Sequence, residues 1–494
     1  MTLKPWREVM KPHDDVISGE AKMADFAADL TQVVAGKAPQ QYQNPALFFQ
    51  YTYITEGTKQ LLLNVARRIS EKGGDPVIQL QTGFGGGKTH SMLAVYHMVR
   101  GEVSAEHLLG LNKILEAENL THLPTCRTAV IDGVNLGPNS PKTVRLENGE
   151  TLTVKTLWGV LAASLGGDTG YELLRTSDDS GTSPGKEVLI QLLEKFSPCV
   201  ILIDELVAYV RQFNEEVSLL GGTFASNLSF LQALTEAVKC VSTAVLLASL
   251  PESVREVGSG QGERALEAVE HHFGRIQATW KPVDQEESFE IVRRRLFDDP
   301  INPEDREATC DAFCRMYAAE AAFPNRSREA AYRQRMLRSY PIHPEVFEQL
   351  YTQWTTLERF QKTRGVLKMM SNAIHDLWTQ DNKELMVLPA DLPLSDSKTQ
   401  GLFTDPLDNT GWPNIIASDI DGERSEAARL DVTKYGRRPI ARRMARTIFL
   451  ATAPGTTNRR SLSFDHLLLG TLRCEEHPGM VKDALKDLCR VCHY

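Results

Sequence analysis

Residues 77–89 read VIQLQTGFGGGKT. A short apolar run gives way to a glycine-rich turn, and Lys88-Thr89 then open a helical pattern, His90-Ser91-Met92-Leu93-Ala94-Val95-Tyr96. Strand, glycine loop and Lys-Thr at a helix N-terminus, in that order, form the phosphate-binding P-loop. Glycines let backbone N–H groups turn toward a phosphate, and the helix adds the positive end of its dipole. The expected nucleotide contacts are Thr82, Gly83, Phe84, Gly85, Gly86, Gly87, Lys88, Thr89 and His90. Lys88 is expected to reach the β/γ-phosphates of ATP, and the Thr89 hydroxyl to hold Mg²⁺. Thr82 stands where the motif has its first glycine, which comes one residue later at Gly83. The dinucleotide pattern GxGxxG does not fit, because Lys88 takes the place of its third glycine. The plain alternative, a surface loop with a chance GKT, leaves the strand and helix on its two sides unexplained.

A second stretch, CVILIDELVAY (199–209), belongs with the first. Val200 to Ile203 read as a central strand, with Asp204-Glu205 at its carboxyl end, where open α/β sheets bind ligands. Asp204 is expected to orient Mg²⁺ as a Walker-B aspartate, and Glu205 to polarise the attacking water as a general base. An acidic turn after a strand is common alone; paired with a P-loop it reads as a catalytic pair. Lys88 and Asp204 are 116 positions apart, long for a minimal P-loop unit, and residues 137–196 read as the insertion responsible. A further apolar run at Thr243–Leu250 carries Ser249, suited either to a hydrogen bond toward the γ-phosphate or the water, or to an ordinary strand end.

With 494 residues, the chain is long enough for roughly three domains. No stretch approaches the ~18 apolar residues of a membrane span, and the N-terminus lacks an apolar signal core, so a cytoplasmic protein without membrane contact is expected. The eight cysteines are scattered, as expected of reduced thiols. A net charge of −9 excludes a polycation built to coat nucleic acid, so any DNA contact needs a local patch.

Residues 1–75 read as a helical segment, including 21–35 and a helix capped by Thr55. An α/β core with a parallel sheet is expected over 76–285. Within it, TVRLENGETLTVKT (143–156) alternates around Asn148-Gly149, a hairpin signal, and Ser177–Gly185 reads as a soft linker. Arg275 opens a strand pattern, RIQATW (275–280). Helices are expected over 286–384, with Arg364 and Lys368 one turn apart, then a Pro- and Asp-rich linker over 385–423. Residues 424–460 hold ten Lys or Arg against two acidic residues. RRPIARRMARTIFL there reads either as a basic amphipathic helix lying on phosphates or as a solvated basic face. Cys474, His477, Cys489 and Cys492 have spacing compatible with zinc, although Leu485, Leu488 and Cys492 also fit one buried helix face.

The chain resembles the AAA+ branch of P-loop ATPases. It looks closer still to a family, carrying a domain of unknown function, of large ATPases encoded in bacterial and archaeal phage-defence and methyltransferase loci. The stretches that carry the likeness include LKPWREVMKPHDDV (3–16), FFQYTYITEG (48–57), QLQTGFGGGKTHSMLAVYH (79–97), ILIDELVAYVR (201–211), LPESVREVGSGQG (250–262), YPIHPEVFEQLY (340–351) and RFQKTRGVLKMM (359–370). The resemblance implies an AAA+ core followed by a helical lid over 286–384 and a basic, winged-helix-like domain over 424–494. It implies that relatives continue past Tyr494. It also makes Arg275 the arginine finger, acting on a neighbouring subunit's γ-phosphate, with Arg264 the next candidate, and Arg364 the lid arginine that senses nucleotide. Both arginines can equally be read as solvated surface residues. Val160 stands where the resemblance leads one to expect Glu.

The leading expectation is an Mg²⁺-dependent ATPase that self-associates and powers or gates a DNA-directed defence complex, with partners such as a DNA methyltransferase. Lys88, Glu205, Ser249 and Arg275 carry the chemistry, and Thr89 and Asp204 hold the metal. The alternatives are a nucleotide-dependent switch with little turnover and a DNA-binding module with a vestigial ATPase.

Overall fold

The structure, a computed structural model, describes residues 3–20, 23–81, 87–146, 148–214, 217–252, 254–258, 260–273, 279–280, 287–357, 359–436, 438–455 and 461–493. The chain forms two compact units, residues 28–284 and residues 1–27 with 285–494.

The first unit is α/β. Its strands are β1 (Val77–Gln81), β2 (Arg127–Asp132), β5 (Cys199–Asp204), β6 (Ala244–Leu250) and β7 (Thr279–Trp280), all parallel, in the order β2-β5-β6-β1-β7. A separate antiparallel hairpin, β3 (Lys142–Arg145) and β4 (Thr151–Val154), lies between β2 and the next helix in sequence and turns around Asn148-Gly149 as expected.

Every residue of β5 is buried, because helices cover both faces of the sheet. Cys199, Ile201 and Ile203 pack with Leu246 and Ala248 on one side, and Val200 and Leu202 with Val245 and Leu247 on the other. This is why the strand reads as a continuous apolar run rather than an alternating one. The helices α1 (Glu56–Ile69) and α2 (Lys88–Arg100) lie on the second side. On the first lie α3 (Leu157–Ser180), α4 (Lys186–Phe196), α5 (Leu206–Val210), α6 (Phe224–Cys240) and α7 (Gly260–Phe273). Thus β1 sends its following helix to one face, while its neighbour β6 sends its own to the other. The carboxyl ends of β1 and β6 are therefore a topological switch point, where such sheets open a crevice for ligands.

Local chemistry sets several boundaries. Thr55 caps α1 by accepting the Thr58 N–H. Among the described residues of the helix expected over 21–35, Met23–Phe26 form a 3-10 turn and Leu30–Val34 a separate α-helix, which the Asp29 side chain starts by accepting the Gln32 N–H. Of the linker expected at 177–185, residues 177–180 are helical and 181–185 form the connection to α4. The α3 helix runs to Ser180, its final turn anchored by buried Asp178, which accepts from the Thr156 and Tyr171 hydroxyls, and it breaks instead at Gly167.

The second unit is helical; its described residues form no strand ladder. Trp6 packs in its core against Phe297 and Trp378, so residues 3–20 and 28–75 fall in different units rather than in one N-terminal segment. Residues 385–423, expected as a linker, are built into this core: Met386, Val387, Leu388, Leu392 and Leu394 are buried, and Val387 exchanges backbone hydrogen bonds with Pro341 and His343. Prolines and aspartates keep the stretch irregular, but its leucines fill the interior.

The basic stretch also turns inward, on α8 (Ile440–Thr452). Arg443, 2% exposed, forms a bidentate pair with Glu476 at 2.8 and 3.1 Å. Arg442 and Arg446 share the fully buried Asp421 at 2.9 and 2.6 Å. Countercharges from elsewhere in the chain take up these three arginines, so they do not form a basic face. The described residues of 424–493 contain helices and no strand, so the wing of a winged helix is absent among them. No group of three or more metal-ligating side chains gathers among the described residues, and Cys474, His477, Cys489 and Cys492 do not converge. The described cysteines are all free. No helix among the described residues is long and apolar enough to cross a membrane.

Candidate functional site at the carboxyl edge of the sheet

Lys88 and Thr89 open α2 directly after Gly87, whose φ of +85° is a left-handed conformation that favours glycine. The Ser91 hydroxyl donates to the Gly87 carbonyl at 2.9 Å, tying down this first turn. The Thr89 hydroxyl donates to Asp204 Oδ2 at 2.7 Å. This bond joins the start of α2 to the end of β5, across the intervening β6. From the end of β6, the Ser249 hydroxyl donates to Asp204 Oδ1 at 2.5 Å and accepts the Glu205 N–H at 2.8 Å. The Glu205 N–H also reaches Asp204 Oδ1 at 3.1 Å. Asp204 is 4% and Ser249 1% exposed. One buried carboxylate thus gathers the ends of three elements at the switch point.

Ser249 therefore faces Asp204 and the Glu205 backbone. Its single hydroxyl proton goes to Asp204, so in this arrangement it is a positioning group rather than a donor to phosphate.

Glu205 has φ 50° and ψ 40°, left-handed geometry that costs a non-glycine residue about 1–2 kcal/mol. Such strain persists only where the surroundings impose it, and it collects at functional sites. Part of the imposition comes from Gly133, after β2. Its N–H donates to the Asp204 carbonyl at 2.9 Å, and a Cβ there would lie 2.1 Å from the Glu205 carbonyl oxygen. Burial first, and then the neighbouring Asp204 charge, push the Glu205 carboxyl above the usual glutamate range; Lys88 opposes the shift. A raised value makes a better proton acceptor.

Asp132, Gly133 and Thr31 escape a motif search. Asp132 is in register with Asp204 and accepts from the Thr31 hydroxyl at 3.0 Å and from Asn135 Nδ2 at 2.6 Å. A signal for it exists: TAVIDG (128–133) ends an apolar strand in Asp as ILIDE (201–205) does. Nothing in the sequence pairs Thr31 with it.

His90 has its ring 4.7 Å from that of Phe48, and Nε2 hydrogen-bonded with the Thr52 hydroxyl at 2.9 Å, so it fastens α2 to residues 48–52. Thr82, Gly83, Phe84, Gly85, Gly86 and Arg275 lie outside the described residues. Arg264 is exposed on α7. Arg364 stands in the first turn of the helix Lys362–Thr379, in the other unit.

The DUF499 N-terminal domain matches residues 1–291, and the DUF499 second domain matches residues 284–467. The chain belongs to the DUF499 family. The passage from one DUF499 domain to the next falls where the α/β unit ends, near residue 285. The Lys88, Thr89, Asp204 and Ser249 constellation lies wholly within the DUF499 N-terminal domain. No curated protein matches the chain.

Proposed function

We propose that this DUF499 protein is an AAA+ type P-loop ATPase that binds ATP at the end of β1 and hydrolyses it with Glu205 as general base. The observation that carries the reading is the Asp204 carboxylate, which accepts from both Thr89 and Ser249 at the sheet's switch point with Glu205 held beside it. Lys88, which starts α2, is proposed to neutralise phosphate charge. The residues also fit Mg²⁺: a hydroxyl and a carboxylate 2.7 Å apart are the hard oxygen donors this ion takes. Thr89 and Asp204 would hold it, and when bound it supplies positive charge that offsets charge developing on the phosphate oxygens.

Glu205 accepts a proton from the water that attacks the γ-phosphorus; the bond to the β-γ bridging oxygen breaks, giving ADP and inorganic phosphate. Ser249 keeps the Glu205 backbone in its strained geometry. Arg275 is the proposed finger, supplied by a second copy of the chain, and Arg364 the proposed lid sensor. Turnover is proposed to power or gate a DNA-directed phage-defence complex in the cytoplasm, with a DNA methyltransferase as one partner. With Arg442, Arg443 and Arg446 paired internally, a direct DNA contact has to use other groups.

The test is phosphate release by the purified chain, with and without duplex DNA, beside Lys88→Ala and Glu205→Gln. Release lost in both variants supports the ATPase, and stimulation by DNA supports the coupling. ATP binding without release in the unaltered chain transfers the reading to a nucleotide-dependent switch.

A further inference from the structure

Lys142 occupies a place built for an aliphatic side chain. In the β3–β4 hairpin, Lys142 pairs with Val154 and Val144 with Leu152 on the inward face. Thr143 with Thr153 and Arg145 with Thr151 make the exposed face. A period of two therefore calls for an apolar residue at 142. The lysine there is 5% exposed and makes no ion pair among the described residues. Its ammonium donates to the carbonyls of Lys155 and, at 3.5 Å, Ser140, and lies 5.7 Å from the centre of the Tyr209 ring. Asp178, whose field reaches it, is engaged by the Lys155 and Thr156 amides and the Thr156 and Tyr171 hydroxyls. Burial pushes the ammonium down to about 8.

A buried charge held by carbonyls but without an ion pair costs stability that an aliphatic side chain of similar size would restore. Its place next to Tyr209 suggests what the charge is for. Tyr209 lies one turn along α5 from Glu205 and is fully buried. A Cβ on Gly133 would stand 3.2 Å from Tyr209 Cβ, and one on Gly221 2.4 Å from Tyr209 Oη. The loop after β2, the 219–222 turn and the hairpin thus close on the helix that Glu205 begins.

We propose that Lys142 is a positioning residue: its ammonium, held by hairpin carbonyls and set against the Tyr209 ring, fixes α5 and with it the Glu205 carboxylate. The catalytic part of this inference rests on the ATPase reading, but the conformational part does not. The β3–β4 hairpin then has a mechanical role, because it braces the end of β5 from the side away from the P-loop.

The experiment compares the full chain with Lys142→Met and Lys142→Arg, by hydrogen exchange of peptides covering 205–213, by thermal unfolding, and by ATP turnover. Met keeps the buried stem and removes the charge. Lys142→Met is expected to unfold at the same or a higher temperature, while amides of 206–210 exchange about tenfold faster. Its kcat is expected to fall about tenfold at unchanged KM, with partial recovery in Lys142→Arg. Unchanged exchange over 206–210 overturns the inference, and so does faster exchange throughout the chain with a lower unfolding temperature, which would make Lys142 merely structural. If the unaltered chain releases no phosphate, yet 206–210 loosen selectively in Lys142→Met, the ATPase reading falls and the brace stands.

Discussion

Gly133→Ala adds one methyl group beside the proposed base. The new Cβ would meet the Glu205 carbonyl oxygen at 2.1 Å, its carbonyl carbon at 2.9 Å and Tyr209 Cβ at 3.2 Å. Two of these three contacts are backbone atoms, which cannot swing away as a side-chain end can. Restoring ordinary contact requires Glu205 to retreat by roughly 1 Å, a misplacement that costs on the order of 100-fold in rate at a reacting centre. Overpacking of this kind also costs about 1–3 kcal/mol of stability. Lys88 and Thr89 are carried by another element, so affinity for ATP should change little. The assay is steady-state ATP hydrolysis with Mg²⁺, read as kcat and KM, beside Gly185→Ala, where an added Cβ has nothing within 4 Å. The expected result is a kcat down by about 100-fold at a KM within about threefold, with Gly185→Ala unaffected. A Gly133→Ala protein that melts like the unaltered chain and keeps kcat within about threefold would refute the reasoning, since Glu205 would then not be held from this side.

Ser249→Ala removes the hydroxyl that Asp204 and the Glu205 N–H share, and should lower kcat by about 10- to 100-fold and stability by about 1–3 kcal/mol, read by phosphate release and urea unfolding. His343 is fully buried, its Nδ1 accepting from the Glu345 N–H at 3.1 Å and its Nε2 meeting the Tyr317 hydroxyl at 2.9 Å; burial holds it down to about 3. Below pH ~6.5 the unfolded chain takes up a proton that the folded chain refuses, so this group's contribution is whole above that pH and is lost by about 1.4 kcal/mol per pH unit as pH falls toward 3. Urea midpoints between pH 7 and 5 should therefore fall less steeply in His343→Phe than in the unaltered chain; equal slopes would count against it. Arg443→Met strands Glu476 in the interior and should cost about 3–5 kcal/mol, whereas Arg438→Met, at an exposed position, should leave the urea midpoint nearly unchanged.

The parts of this molecule legible in advance are those whose cause is local. The β5 run is apolar throughout because both its faces are covered, and Asp204 stands out as the first charge after it. Asn148-Gly149 announces a hairpin through its own turn chemistry, and the alternation on either side tells which face is buried. Ser249 is visible as a polar strand end, but its partner is not, because β5 and β6 become neighbours only in the folded sheet. The inward turn of α8 is hidden for the same reason. Its arginines look like a surface until Asp421 and Glu476, 21 and 33 residues away, are brought beside them. Residues 385–423 mislead differently: proline and aspartate mark irregular backbone correctly, but irregular backbone can still be core when its leucines are buried and its amides find partners such as Pro341.

The most direct measurement of the central claim is a single-turnover experiment with γ-labelled ATP bound to an excess of the purified chain, comparing the unaltered protein with Glu205→Gln. If Glu205 accepts the water's proton, both proteins hold labelled ATP, the unaltered chain converts it to ADP and phosphate, and Glu205→Gln keeps it intact at least about 100-fold longer. Equal conversion by the two proteins, or no binding of ATP by the unaltered one, would contradict the account.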